Sequence, residues 1–481
     1  MIKNYFKTTV AASLMALACT QAAGQDIPAG AIVWEGTKTL TESFIVPKGQ
    51  SLYIKPGTTI VAATTGEESP AVEIVVLGNL YSLGTEKNPV TFTVADNLKG
   101  DRFGAPWGGI ICGYDSKELY LDHTIIEYGG APTTELSTSF VNGLYKTDEP
   151  GDGVPAVHFC NVDGSMVIRN CTFRYNANDQ IYITGGKSIV ENNLFYESGN
   201  AKDGGEAINY KSGCDADICY NVIYDACTNG FKLSNAGVSA TIPSSHLNVY
   251  NNTLIDCGWR RAKNEKGGSF WIESGIVANI VNNLVYDCRW GMKHDTEEPE
   301  SPSCVLTPNF YFSSTSTGIE QSAADDVRGI LAFSPDIRST QAGNNNPLFA
   351  HFTQTPGMDI NVSADEGDGT ADPWDSSWDL SIAHTSPAAQ GGKTDLTTLF
   401  STKGITLNGL AGVTEQSTFT SKAPAAYFGA KAPVTTDAIG HAPTTTGDHT
   451  IYTLDGRRAG TSSDRLPRGL YIQNGKKLYV R

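Results

Sequence analysis

Positive charge is scarce in this sequence. Its 481 residues include 35 Lys and Arg against 51 Asp and Glu, which gives a formal net charge of −16. A nucleic-acid-binding protein needs a basic surface to neutralise phosphates, so we expect no nucleic-acid partner. Charged residues make up only 18% of the chain and hydrophobic residues 40%. This balance excludes a disordered chain and predicts a globular protein with a large core.

Long apolar runs are missing after residue 24. Before that point, Lys3 and Lys7 precede the apolar run from Val10 to Ala18, and a stretch of small residues ends at Gly24. This order is typical of an export signal, and the run is too short to span a bilayer. We therefore predict a signal peptide over 1–24 and an extracellular or outer-membrane location. Lipidation of Cys19, the residue after the apolar run, stays open as an alternative.

Several sequence motifs of known enzymes are also missing. The sequence contains no HExxH and no GxSxG, and its two Gly-Lys-Ser/Thr triplets lack the first glycine of a phosphate-binding loop. Cysteines show no CxxC-like spacing that would indicate zinc. Instead Cys227, Cys257 and Cys288 recur at intervals of 30 and 31 residues. We predict that they stack as an inward ladder of thiols, with Cys214 and Cys219 as a candidate disulfide pair.

Glycine, by contrast, is abundant, with 50 residues, which favours a fold with many turns and short strands. Five segments share one template, an asparagine followed by a short apolar strand, at intervals of 23 to 31 residues. A period of this length without a helical pattern predicts a β-solenoid. The asparagines of this template, which we expect to stack from coil to coil, are Asn170, Asn193, Asn221, Asn252 and Asn283.

The fold that suits this repeat is a single right-handed parallel β-helix, in which each coil pairs its strands with those of the next coil. In segments such as Ser51-Leu-Tyr-Ile, Glu73-Ile-Val-Val and Trp107-Gly-Gly-Ile-Ile, the chain resembles secreted right-handed parallel β-helix proteins of Bacteroidetes. We predict an all-β protein with the helix over 25–300 and less regular closing coils over 301–445. A linker and a small β module occupy 446–481.

The C-terminal module alternates short apolar strands with turns at Asp455-Gly456 and Asn474-Gly475, and the Asn-Gly pair is a hairpin signal. In the residues TLDGRR, GLYI and NGKK it resembles the C-terminal sorting domain of the type IX secretion system of Bacteroidetes. The resemblance implies attachment at, or export across, the outer membrane. A plain terminal hairpin remains the alternative.

Ligands of a solenoid usually bind where adjacent coils form a groove, and the richest set of candidate residues lies in three consecutive coils. Lys232 and Lys293 occupy comparable places about two coils apart, which predicts that they share one face. Aromatic rings that can stack on sugars lie beside groups that bind hydroxyls or uronates. This combination predicts a protein that binds extracellular polysaccharide without catalysis. We expect the protein to be a monomer. The alternatives are a polysaccharide lyase that abstracts a uronate proton with Lys or Arg, and a structural or adhesive surface protein. The substrate-binding candidates are Glu206, Asn209, Trp259, Trp271, Glu273 and Trp290, and the candidates for a lyase are Lys232, Arg260, Arg261, Lys293 and His294.

Calcium is the one cofactor that the sequence suggests. Asp365, Asp368 and Asp372 lie in a dense acidic loop and offer the several oxygen ligands that this ion needs, although without EF-hand spacing.

Overall fold

A computed structural model describes residues 26–63, 70–100, 102–144, 150–200, 204–261, 267–353, 373–434, 451–453, 458–460, 466–473 and 476–480. The predicted signal peptide with Cys19 and the acidic loop with Asp365, Asp368 and Asp372 lie outside these ranges. In the described part of the chain, no helix is long and apolar enough to cross a membrane.

Three long β-sheets run the length of the body, and each of the nine coils from Ile32 to His294 contributes one strand to each of them in turn. Sheet A consists of Ile32–Trp34, Ser51–Ile54, Asn79–Leu83, Glu118–Asp122, Ser165–Arg169, Gly186–Glu191, Cys214–Cys219, His246–Tyr250 and Val277–Val281. Sheet B consists of Thr37–Leu40, Thr59–Ala62, Val90–Val94, Thr124–Glu127, Thr172–Arg174, Leu194–Ser198, Val222–Ala226, Thr253–Ile255, Leu284–Tyr286, Phe310–Phe312 and Ile337–Arg338. Sheet C consists of Phe44–Val46, Ile74–Val76, Ile110–Cys112, Val157–Phe159, Ile181–Ile183, Ile208–Tyr210, Asn229–Ser234, Gly268–Glu273, Met292–His294 and Ile330–Leu331.

Neighbouring strands pair in parallel, apart from Ile330–Leu331, which runs antiparallel to Met292–His294. Every second side chain points inward, and the inward residues form one continuous apolar core. The predicted parallel β-helix is confirmed, and its ladders extend beyond residue 300 to Phe310–Phe312 and Ile337–Arg338.

The remaining elements are short. The helices are Thr138–Val141 and Ser316–Ser322, and the 3₁₀ turns are Asp96–Leu98, Pro387–Ala389 and Asn408–Leu410. Two antiparallel strand pairs join Phe349–His351 to Asp379–Ile382 and Ile405–Thr406 to Thr418–Phe419. The C-terminal strands Ile451–Thr453, Arg458–Gly460, Gly469–Gln473 and Lys476–Val480 form an antiparallel sheet, in which Gln473 lies opposite Lys476, as the Asn-Gly hairpin signal predicts.

A buried asparagine ladder runs along the turn between sheets A and B. The Nδ2 of Asn193 donates to the Oδ1 of Asn221 at 2.9 Å, and the same bond repeats from Asn221 to Asn252 and from Asn252 to Asn283 at 3.0 Å. The ladder continues to Asn309. Each Oδ1 also accepts the backbone N–H of the preceding asparagine, as from Asn193 to Asn221, so the turn has no orphaned amide at these positions.

Asn170 does not belong to this ladder, because the strand register places Cys171, one residue later, opposite Asn193. Asn170 instead has a left-handed backbone with φ of 55°. The residue before each of the ladder asparagines from Asn193 to Asn283 shares this conformation, which explains why asparagine is frequent there too. These residues are Asn192, Tyr220, Asn251 and Asn282.

The thiol ladder is shorter than the sequence spacing indicates. The Sγ of Cys288 accepts the backbone N–H of Cys257 at 3.4 Å. Arg289 N, which follows Cys288, donates to the backbone oxygen of Cys257. In the same way Gly258 N, which follows Cys257, donates to the backbone oxygen of Ala226, so Cys227 lies one position away from the ladder. Ala226 therefore takes the place that was predicted for Cys227. The predicted disulfide is also wrong, since the described cysteines are all thiols.

Residues 373–434, which we call the closing segment, lie along the outside of the coils. Its side chains Phe400, Leu407 and Phe419 pack on sheet A, and Leu380 and Phe428 pack on sheet B. Buried carboxylates of sheet A hold its backbone: Glu118 accepts the N–H groups of residues 408 and 409, and Asp217 those of residues 399 and 400. The closing segment thus covers the outer faces of sheets A and B.

Candidate functional site

The outer face of sheet C carries a column of polar and aromatic side chains. Strand register places one outward residue of each coil directly above the next, while their neighbours Ile208, Phe231 and Phe270 point into the core. The column is His158, Tyr182, Asn209, Lys232, Trp271 and Lys293. Four of these six residues were predicted as site residues, and Lys232 and Lys293 lie two coils apart on one face, as the sequence indicates.

Glu273 lies between two lysines at this surface. Its Oε1 is 3.6 Å from the Nζ of Lys211 and also 3.6 Å from the Nζ of Lys232. Trp271 fixes the carboxylate by donating its Nε1–H to Oε2. Only 15% of the Lys211 and Glu273 side chains and 24% of that of Lys232 are exposed. Burial of this kind strengthens the electrostatic interaction between the three groups.

The two lysines differ in their proton affinity. Burial lowers the pKa of Lys211, and the positive charge of Lys232 lowers it further, against the opposing effect of Glu273. For Lys232, burial acts to lower the pKa, but the negative charges of Glu206 and Glu273 outweigh it and raise the pKa. Lys232 therefore holds its proton more tightly than an ordinary lysine, whereas Lys211 gives up its proton more readily.

A carboxyl pair, Asp179 and Glu206, lies behind Lys232. Burial and the negative charge of Glu206 raise the pKa of Asp179. Burial acts to raise the pKa of Glu206 as well, but the hydrogen bond with Asp179 and the charge of Lys232 lower it. Asn209 donates to Asp179 Oδ2 at 2.9 Å. The predicted residues Glu206 and Asn209 thus orient the buried charges rather than face the open surface.

A cleft with a volume of about 820 Å³ opens beside this network. It lies along the turns that follow the strands Val157–Phe159, Ile181–Ile183 and Ile208–Tyr210. Its lining residues are Tyr114, Leu144, His158, Cys160, Asn161, Val162, Asp163, Tyr182, Thr184, Lys211, Ser212, Ala236, Gly237, Thr241 and Ile242. Lys211 belongs to this lining, whereas Lys232 and Lys293 do not.

Two rings form part of the cleft floor. The centroids of the His158 and Tyr182 rings are 5.7 Å apart. Burial lowers the pKa of His158 to about 4, so this imidazole is neutral at pH 7. Burial, followed by the charges of Asp179 and Glu206, raises the pKa of Tyr182, so its phenol keeps its proton. The cleft therefore offers the uncharged, half-buried ring of Tyr182 next to a cation, an arrangement suited to sugars, while the His158 ring is buried beside it.

Lys211, His158 and Tyr182 were not predicted from the sequence. The signal for Lys211 was present: once Ile208-Asn-Tyr-Lys211 is aligned with Phe231-Lys-Leu-Ser234 and Phe270-Trp-Ile-Glu273, Lys211 and Glu273 occupy one column two coils apart.

Arg260 does not lie at this surface, although the sequence grouped it with Lys232 and Lys293. It is buried in the turn between sheets B and C, where its Nε lies 2.8 Å from Asp225 Oδ1 and its other nitrogens bind the backbone oxygens of residues 198 and 199. Arg261 is buried in the same turn, and its backbone oxygen accepts from Arg289. Trp259 there donates to the backbone oxygen of Asp287 at 2.6 Å. These side chains stabilise a turn. The alternation of inward and outward residues that holds in the strands does not apply to this turn.

The last two predicted residues support the C-terminal end of the column. The Nζ of Lys293 lies 5.0 Å from the ring centroid of Trp290 and 5.6 Å from that of Trp271. His294 Nδ1 is 2.8 Å from Glu300 Oε2. As for metals, the described residues contain no group of three His, Cys, Asp or Glu side chains arranged to hold an ion.

Comparison with known families agrees with the geometry. A family model described as the right-handed beta helix region matches residues 150–306. The fold of this chain is a right-handed parallel β-helix built from repeated coils. The matched region of the β-helix includes the whole outward column from His158 to Lys293. No curated protein and no solved structure matches the chain.

Proposed function

We propose that this β-helix protein binds acidic polysaccharides on the outer face of sheet C, with the cleft as the binding site. The observation that carries the proposal is the position of Lys211, which belongs to the buried charge network and also lines the cleft. A cation held in a partly desolvated wall pairs with a carboxylate or sulfate more strongly than one on an open surface. The half-buried Tyr182 ring beside it supplies a stacking surface for the sugar, and the buried His158 ring packs next to Tyr182.

The shape of the cleft favours a polymer. The cleft follows the turns after successive strands of sheet C, from Val157–Phe159 to Asn229–Ser234, which is three strand intervals or about 14 Å at a spacing of roughly 4.8 Å. The closing segment occupies the outer faces of sheets A and B, and the cleft opens on sheet C. An extended chain lying along the axis of the β-helix would contact one coil after another.

Such polymers occur outside cells, so the proposal includes export of the protein. The signal-like segment 1–24 and the C-terminal module that resembles a sorting domain support this part. Accessibility of the protein to an added protease on intact cells tests it, and full protection of the chain inside the cell would contradict it.

Titration calorimetry with a panel of polysaccharides tests the binding proposal. We expect binding to polygalacturonate, alginate or chondroitin sulfate, and weaker or no binding to neutral dextran of matched length. Added salt should weaken the interaction, because it screens charges that are partly exposed. Equal affinity for dextran and the acidic polymers, or no binding to any acidic polymer, would contradict the proposal.

A lyase is the second candidate, and the lowered pKa of Lys211 favours it. A neutral Lys211 amine in the cleft would take the C5 proton of a bound uronate. The electrons of that C–H bond would form a C4–C5 double bond while the C4–O bond breaks, and the leaving oxygen would take up a proton. Ultraviolet absorbance of unsaturated products from polygalacturonate or alginate tests this step. A flat trace with polymers that do bind would leave a binding protein without catalysis.

A further inference from the structure

In the cleft, the cationic side chain of Lys211 lies beside an apolar wall. Leu144, Val162 and Ile242 line it together with Lys211, and the exposed ring of Tyr114 lies at its rim. A site for a bare acidic sugar needs cations, hydroxyl partners and flat rings, because such a sugar is polar around its whole edge. Three aliphatic side chains beside the cation therefore require a different explanation.

Two turn glycines show how closely the aliphatic groups pack. A Cβ at Gly213 would lie 3.1 Å from Val162 Cγ1 and 3.2 Å from Ile242 Cγ2. A Cβ at Gly113 would lie 3.1 Å from Leu144 Cδ2. Glycine at these two turns lets the aliphatic groups lie directly against the backbone, so the wall is a packed surface rather than a set of loose side chains.

The loop that carries Ile242 is fastened to Lys211 itself. Ser245, at the end of the loop, donates its hydroxyl to the backbone oxygen of Lys211 at 2.6 Å and accepts the N–H of Cys214 at 2.8 Å. Gly213 N donates to the oxygen of Pro243 at 2.8 Å. These bonds fix the position of the apolar wall relative to the cation before any ligand binds, which is how a binding site gains specificity.

We propose that the cleft recognises acidic sugars that carry an O-acyl substituent such as an acetyl ester. Lys211 pairs with the carboxylate of the sugar, and the Val162 and Ile242 side chains cover the methyl group of the acyl substituent. This inference rests on the proposed function and defines its ligand more narrowly. An ester on a sugar hydroxyl leaves the carboxylate free, so one ligand satisfies both the cation and the wall.

The expected preference follows from the apolar area of one methyl group. Burial of a CH₂ or CH₃ group stabilises a complex by roughly 0.8 kcal/mol, which corresponds to about a four-fold gain in affinity. We expect O-acetylated alginate to bind about four-fold more tightly than the same polymer after removal of its acetyl groups by mild alkali.

Calorimetry with this pair of polymers, on the full chain and on loop variants, is the test. Ile242→Ser should abolish the preference for the acetylated polymer but still bind both forms. Ile242→Thr keeps the branched shape, and we expect it to reduce the preference partly. Val238→Ser is the matched control, because Val238 is an exposed apolar residue of the same loop and is not part of the cleft lining. Its preference should equal that of the native protein.

The outcomes separate the two proposals. If both polymers bind with equal affinity, or if the deacetylated polymer binds more tightly, the acyl inference is wrong and the binding proposal stands. If Ile242→Ser weakens the binding of both polymers equally, the wall supports the fold alone and the inference is again wrong. If neither polymer binds the native protein, both proposals fail.

Discussion

Replacement of Asp217 by alanine is expected to lower the free energy of unfolding by about 4 kcal/mol. The Asp217 carboxylate is completely buried and accepts four hydrogen bonds. The donors are Leu399 N at 3.1 Å, Phe400 N at 2.8 Å, Ser421 Oγ at 2.6 Å and Asn248 Nδ2 at 2.8 Å. Each buried donor left without an acceptor costs about 1 to 3 kcal/mol, partly recovered where water enters.

Three of these four donors belong to the closing segment, so we also expect this segment to detach before the coils unfold. Limited proteolysis should cleave the Asp217→Ala protein within 373–434 under conditions in which the native chain stays intact. Asp215→Ala is the matched control, because Asp215 lies on the same strand and is 45% exposed. A stability loss of less than about 1 kcal/mol for Asp217→Ala, or an equal loss for both variants, would contradict this role.

Charge reversal at Lys211 is expected to have the second large effect. Lys211→Glu would place a carboxylate in the cleft beside Glu273, and we expect the affinity for acidic polysaccharide to fall at least about 100-fold. The measurement is calorimetry with polygalacturonate. Lys187→Glu is the control with the same change in net charge, because Lys187 is an exposed residue of sheet A. An equal loss in both variants would indicate only a long-range charge effect and would contradict a specific role for Lys211.

The affinity should also depend on pH through Lys211. The cationic form of Lys211 pairs with the ligand, and burial together with Lys232 lowers its pKa. Binding is therefore full below this lowered pKa and lost as the pH rises through it, earlier than for an ordinary lysine. Lys211→Arg should bind at neutral pH and keep its affinity at alkaline pH, since arginine stays charged.

The fold was predictable because its information is local and periodic. Five successive segments repeat an asparagine and a short apolar strand, and this repeat predicts parallel pairing of successive coils. The errors lie where the chain departs from the period by one residue. Ala226 shifts Cys227 out of the thiol ladder, and Asn170 precedes the ladder position that Asn193 occupies in the next coil.

The candidate site was predictable in part for the same reason. The repeat placed Lys232 and Lys293 on one outward face, and the register confirms this and adds Trp271 between them. Arg260 was misplaced because it lies in a turn, where no period tells whether a side chain points toward the surface or back to Asp225.

The cleft itself was not predictable. Its walls come from the insertion that carries Leu144 and the loop that carries Ile242, and both lie outside the repeat. The proton affinity of Lys211 likewise depends on three-dimensional burial and on Lys232, which a sequence does not show.

Hydrogen–deuterium exchange with and without polygalacturonate tests the central claim most directly, because it locates the bound polymer on the chain. We expect protection from exchange in the turns at 160–164 and 211–213 and in the loop 235–245, which border the cleft. Peptides from the sheet A strand Ile32–Trp34, in the first coil, should be unchanged. Protection confined to sheet A or to the closing segment, with none around Lys211, would contradict binding on the outer face of sheet C.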